Sequence, residues 1–188
     1  FKDLPKMSPP LLHLATNGFY IPAETKSKLT KLYGYLNKRS STEDISLGRS
    51  GLMLTGAVNT INEMNVGKSD CEDGILTARE ISRLDFTSVD LVVLSACKTG
   101  LGDINSDGVY GLQRGLKKAG TNTIVMSLWK VDDEATKILM TEFYRNLYSN
   151  MTKHEAFTKA QNALKVVDNG KYDNPLYWAA FIMLDGKN

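Results

Sequence analysis

The chain has 188 residues, 42% of them hydrophobic and 23% charged, with a net charge of +2. That length allows one domain with a real core, read over 1–188, and the near-neutral balance gives no electrostatic reason to expect nucleic acid or an acidic membrane as a partner. Two cysteines, Cys71 and Cys97, are too few for a disulfide framework, so a cytoplasmic setting is expected, and no apolar run is long enough to span a bilayer and no signal peptide opens the chain.

The opening Phe1–Pro5 runs almost directly into an apolar stretch and reads as a cut from a longer protein. After Pro9-Pro10, the segment Leu11–Thr16 reads as a short buried strand ending at Asn17-Gly18, a pair with turn character. Residues 21–50 read as a polar, basic loop insertion in which Leu29, Leu32, Tyr33 and Leu36 have the spacing of one short helix. Its lysines read as a solvated face. Gly51–Thr55 follows as a strand, and 57–76 reads as a second loop insertion, its polar stretch Asn59–Gly74 as a flap that carries Cys71 as a plain loop thiol. Thr77 and Glu80 have capping-box spacing, which starts a helix burying Ile81 and Leu84.

Leu91–Leu94 is an unbroken apolar run, as in a strand buried on both faces of a sheet. It stops at Ser95-Ala96-Cys97, and Gly100 and Gly102 open a loop. Cys97 is thereby placed at the carboxyl end of a central strand, the edge where open α/β sheets bind ligands. A helix over Val109–Ala119 follows, with Gly108, Gly111 and Gly115 suggesting close approach to the sheet. Next come a strand over Thr123–Trp129 and a helix striped by Ala135, Ile138, Leu139, Phe143 and Leu147. A second capping box, Thr152 with Glu155, starts a helix with Phe157, Ala160, Leu164 and Val167 inward, and Trp178–Leu184 closes the chain as a strand. This alternation predicts an α/β fold with a mainly parallel sheet and helices on both faces.

Three segments together resemble one family: His13-Leu14-Ala15-Thr16-Asn17-Gly18-Phe19, Leu94-Ser95-Ala96-Cys97-Lys98-Thr99-Gly100-Leu101-Gly102, and Ser127-Leu128-Trp129-Lys130-Val131-Asp132-Asp133. Gly74–Ile81 and Trp178-Ala179-Ala180-Phe181 fit as well. The resemblance is to the CHAT domain, a caspase-like cysteine-peptidase family related to separase, and it runs from about residue 11 to the end. It implies a caspase-like three-layer α/β/α sandwich and a peptide or protein substrate. It implies Cys97 as nucleophile, a histidine just before Gly18, and an oxyanion hole built from the Gly18 and Cys97 amides. Asp132 or Asp133, and more weakly Asp103, would read a basic side chain before the scissile bond. An upstream regulatory region of the same protein is an expected partner, and no cofactor or metal is called for.

The sequence departs from that pattern at one place: position 17 is Asn. A thiol attacks as thiolate and needs a neighbouring base or cation to ionise, and an amide takes no proton at neutral pH. The two histidines are poor substitutes. His13 would lie about 13 Å back along an extended strand at about 3.3 Å per residue, and reads as a hydrogen-bonded core histidine. His154 falls in the first turn of a helix, on its solvent side. The chain as written is therefore expected to be weak or inactive. Asn17 is either native to a pseudo-protease that binds peptide without cleaving it, or a replacement in an otherwise active enzyme.

Other motifs fail on spacing. Asp103-x-Asn105-x-Asp107-Gly108 matches half of a calcium loop, but its twelfth position is Arg114 where a bidentate Glu is required. Gly100, Gly102 and Gly108 lack the spacing and the Lys-Ser/Thr of a phosphate loop.

Overall fold

Leu91–Leu94 is buried at every position, which requires neighbours on both sides and both faces. The computed structural model, which describes residues 3–7, 9–21, 45–62, 73–95 and 106–185, supplies them. In chain order the strands are β1 (Leu11–Leu14), β2 (Asn17–Tyr20), β3 (Ser50–Met53), β4 (Ile75–Thr77), β5 (Leu91–Leu94), β6 (Thr123–Ser127) and β7 (Phe181–Leu184). The helices are α1 (Leu4–Met7), α2 (Ala57–Asn62), α3 (Ala78–Ile81), α4 (Ser106–Lys118), α5 (Asp133–Tyr148), α6 (Lys153–Val166) and α7 (Pro175–Trp178).

The main sheet has the order β1-β5-β6-β7. β1 runs parallel to β5 and β5 to β6, while β7 returns antiparallel to β6. The fold is thus mixed α/β with a mostly parallel sheet. Alternate residues of the central strands feed two apolar clusters. Val92, Leu94, Ile124 and Met126 pack with Leu112, Leu116 and Ala119 of the α4 region and with Ile81 of α3. Leu91, Val93 and Val125 pack with Ala135, Leu139 and Phe143 of α5 and with Phe157, Ala160 and Leu164 of α6. The α5 and α6 stripes fall where their spacing puts them, except that Ile138, Leu147 and Val167 are only partly buried and Met140 joins the core.

Several expectations are corrected. Asn17-Gly18 is extended strand, not a turn: the chain leaves the main sheet after Leu14 and enters a second, antiparallel sheet of order β2-β3-β4. Phe19, Tyr20 and Ile21 are buried, and that apolar run pulls the segment into a sheet of its own. The described parts of the two expected loop insertions form regular structure. Residues 45–48 form a 3₁₀ turn before β3. Ala57–Asn62 is helical, with Thr60 Oγ1 donating to the Asp73 carbonyl at 2.8 Å and Leu54 N–H to that of Gly74 at 2.6 Å. Gly115 approaches α3 rather than the sheet, since a Cβ there would stand 2.5 Å from the Ala78 carbonyl oxygen. The last strand begins at Phe181. Before it, Asn174 accepts the Leu176 N–H at 2.9 Å and Pro175 opens the helical turn that contains Trp178. The helix expected around Leu29–Leu36, Cys71, Cys97 and Asp103 lie outside the described residues.

Both capping boxes form as spaced: Thr77 with Glu80 and Thr152 with Glu155 each satisfy two amides at a helix start. No helix among the described residues is long and apolar enough to cross a membrane.

Candidate functional site

The carboxyl ends of β1, β5 and β6 share one edge of the main sheet, because all three strands run the same way. The described residues among those predicted for the site, Asn17, Gly18, Asp132 and Asp133, follow the ends of β1 and β6 in the chain. After β1 the chain crosses to the second sheet over Ala15-Thr16, and Thr16 Oγ1 donates to the Met53 carbonyl, which fixes the crossing. Asn17 is the first residue of β2, exposed and opposite Met53. Its amide group therefore stands at the junction of the two sheets.

Gly18 is buried next to it. Its main-chain orientation follows from the register. Ile21 N–H bonds to the Arg49 carbonyl at 2.8 Å. Antiparallel pairs alternate between exchanging two hydrogen bonds and none. Counting back through the register, Phe19 with Gly51 and Asn17 with Met53 exchange bonds, and Gly18 with Leu52 does not. The Leu54 N–H bond to Gly74 agrees, since it assigns the Leu52 and Leu54 amides to β4. Gly18 N–H thus points away from β3, off the edge of the second sheet, as an oxyanion donor must. A strand edge, not a turn, sets the direction of this N–H.

Beyond β6, Asp132 is the N-cap of α5, and its carboxylate accepts the Ala135 N–H at 2.9 Å. Asp133 follows in the first helical turn and is exposed. The field of Asp132 also reaches Lys171, whose ammonium is held above its ordinary range first by Tyr172 and more weakly by Asp168 and Asp132. Asp132 is therefore engaged by the backbone of its own helix and exposed to solvent.

His13 corrects its sequence reading in part. It is hydrogen-bonded as expected, but it is exposed rather than a core residue. Nε2 lies 2.8 Å from Ser95 Oγ and Nδ1 lies 2.8 Å from the Tyr144 hydroxyl of α5. The sheet explains the first contact. His13 is paired with Val93, and Ser95 is on the same face about 6.6 Å further along, a step the imidazole spans. Desolvation by its surroundings holds the His13 pKa below 6.5, so the ring is neutral at physiological pH. Burial, with a lesser contribution from Tyr148, raises the Tyr144 phenol to about 12. Ser95 lies in the Leu94–Gly102 motif, where the resemblance implies no role for it. Tyr144 gave no sequence signal, because it neighbours the core residue Phe143 on an amphipathic helix.

His154, on the solvent side as expected, pairs with Asp185 at the opposite end of the main sheet. No group of three or more His, Cys, Asp or Glu among the described residues could hold a metal ion.

Comparison with known proteins gives two findings. Tetratricopeptide repeat protein 28 of Mus musculus is 32% identical to this chain over 120 residues, as is its namesake in Homo sapiens. The match covers 62% of this chain and 5% of either relative, so the chain spans a small part of the length of the proteins it is similar to. The family profile described as CHAT domain matches residues 1–187, nearly the whole length and all three of the quoted motifs. With that coverage, the chain belongs to the CHAT domain family.

Proposed function

We propose that this chain is the peptidase domain of a caspase-like cysteine endopeptidase, built as a three-layer α/β/α sandwich, and that it is weak or inactive as written. Cys97 occupies the nucleophile position beyond β5. The Gly18 and Cys97 amides hold the oxyanion. Asp132 or Asp133, with Asp103 as a lesser contributor, receives a basic side chain before the scissile bond. The observation that carries the reading is Asn17 at the base position, beside a glycine whose N–H points off the sheet edge. A general base contributes about 10²–10⁴-fold in rate. Without one, a thiol with an ordinary pKa of about 8.5 is only a few per cent thiolate at neutral pH.

Asn17 equally favours a second reading, in which the domain keeps the peptide groove and serves as a recognition module. An upstream regulatory region fits either reading, since the similar relatives are named for tetratricopeptide repeats and are far longer than this chain. A cytoplasmic setting keeps the thiol reduced.

The experiment is a fluorogenic peptide series with Arg, Lys or Leu before the cleaved bond, run on this chain and on Asn17→His. Cleavage after Arg or Lys by Asn17→His, at least 10²-fold above this chain and abolished by Cys97→Ala, is the expected result. A folded Asn17→His protein that cleaves nothing counts against the enzyme reading. Saturable peptide binding by the unaltered chain without turnover favours the recognition module.

A further inference from the structure

The chain Ser95–His13–Tyr144 is not used by the thiol chemistry. It joins the end of β1, the residue after β5 and the second half of α5, with both heavy-atom separations at 2.8 Å and the His13 and Tyr144 rings 5.7 Å apart at 45°. A hydroxyl bonded to one imidazole nitrogen, with a third group holding the other, is the arrangement that activates a serine. The site is open, because His13 is exposed and Ser95 half-buried. It also lies at the strand-end edge where ligands reach an α/β sheet.

We propose that Ser95, His13 and Tyr144 form a serine-based acyl-transfer site for activated carboxylic esters, separate from the thiol at position 97. In the reacting tautomer the His13 proton is on Nδ1 and is donated to the Tyr144 oxygen, which leaves the Nε2 lone pair for Ser95. Ser95 Oγ bonds to the ester carbonyl carbon, and its proton passes to Nε2. The carbon–oxygen bond to the leaving group breaks, and the departing alcohol takes the proton from Nε2. Water then adds to the acyl-serine, giving its proton to Nε2. Ser95 Oγ leaves with that proton, which frees the carboxylic acid.

Two features set the substrate class. His13 is neutral at physiological pH and can accept the proton. Tyr144 stays protonated, so it orients the imidazole without supplying the negative charge that a carboxylate would place beside the imidazolium. Esters with good leaving groups need least from that imidazolium, and amides need most. Aryl esters are therefore turned over, and peptide bonds are not.

The full chain is treated with a fluorophosphonate, from which the activated serine displaces fluoride, and with p-nitrophenyl acetate. Adducts are located by peptide mapping. The expected result is a Ser95 adduct with each reagent. It should form at least tenfold more slowly in His13→Gln and severalfold more slowly in Tyr144→Phe, both verified as folded by circular dichroism. The labelling rate should also fall as pH drops through the His13 pKa, which desolvation holds below 6.5, a dependence that a purely structural hydrogen bond would not impose. Failure to form a Ser95 adduct in the folded chain overturns the proposal. So does labelling at an unchanged rate in His13→Gln, or a rate indifferent to pH across that range.

Discussion

At the scale of single residues, two positions separate architecture from chemistry. Asp132 caps α5 through the Ala135 N–H and is also a candidate for reading a basic side chain. The two roles respond differently to substitution. Asp132→Asn retains an N-cap oxygen and should change the urea midpoint little, while Asp132→Ala should cost about 1 kcal/mol. If the charge also reads substrate, both variants lose the preference for Arg over Leu peptides in the Asn17→His background. Gly51 is the second case. It sits opposite Phe19 in β2 and Thr77 in β4, and a Cβ there would stand 2.4 Å from the Leu76 carbonyl oxygen and 2.7 Å from the Phe19 ring. Main-chain oxygen cannot step aside as a side-chain tip can. Gly51→Ala should therefore destabilise by about 2 kcal/mol or more, read as a lowered urea midpoint with an unchanged slope.

At the scale of elements, the capping boxes are the clearest case of sequence written as structure. Thr77 Oγ1 accepts the Glu80 N–H at 3.1 Å while the Glu80 carboxylate accepts the Thr77 N–H at 2.9 Å. Thr152 and Glu155 repeat the pattern at 3.3 Å and 3.0 Å. Thr152→Ala should cost about 1 kcal/mol in urea unfolding. Thr77→Ala should cost at least as much, because the four-residue α3 carries Ala78, against which Gly115 of α4 packs. These helices were legible because caps and a 3.6-residue stripe are local signals. β5 and β6 were legible because their apolar runs are long enough to need a sheet. Of the second sheet only β3 was, as the strand expected over Gly51–Thr55. Asn17–Tyr20 and Ile75–Thr77 are too short for a period, and Asn-Gly between two apolar runs signals a turn. Only the pairing with Ser50–Met53, far off in sequence, makes them strands. The strand-end location of Asn17 and Ser95 was readable, whereas the Ser95–His13–Tyr144 chain depends on residues brought together across 82 and 131 positions.

At the scale of the whole molecule, charge links the fold to pH. His13 is held neutral below its ordinary 6.5, so the unfolded chain binds the extra proton first. The stability this contributes is present above pH 6.5 and is lost as pH falls through the lower folded value. Asp90 is depressed first by its Lys153 hydrogen bond and then by Asn122, and Asp185 first by His154. Their contributions are present above about pH 3.8 and are lost below it. Urea midpoints followed from pH 8 to pH 3 should therefore fall in two stages, and His13→Gln should remove only the first.

The main sheet sets three strand ends on one edge, and the second sheet turns Gly18 N–H outward from the junction where Asn17 stands. On the proposed function, residue 17 decides whether the thiol that follows β5 can ionise. The most direct measurement is the pH dependence of iodoacetamide alkylation at Cys97, resolved from Cys71 by peptide mapping, in this chain and in Asn17→His. We predict a single rise near the ordinary thiol pKa of about 8.5 in this chain, and an added reactive limb below pH 7 in Asn17→His. Identical profiles in the two folded proteins, or a low-pH limb already present with Asn17 in place, would contradict the account.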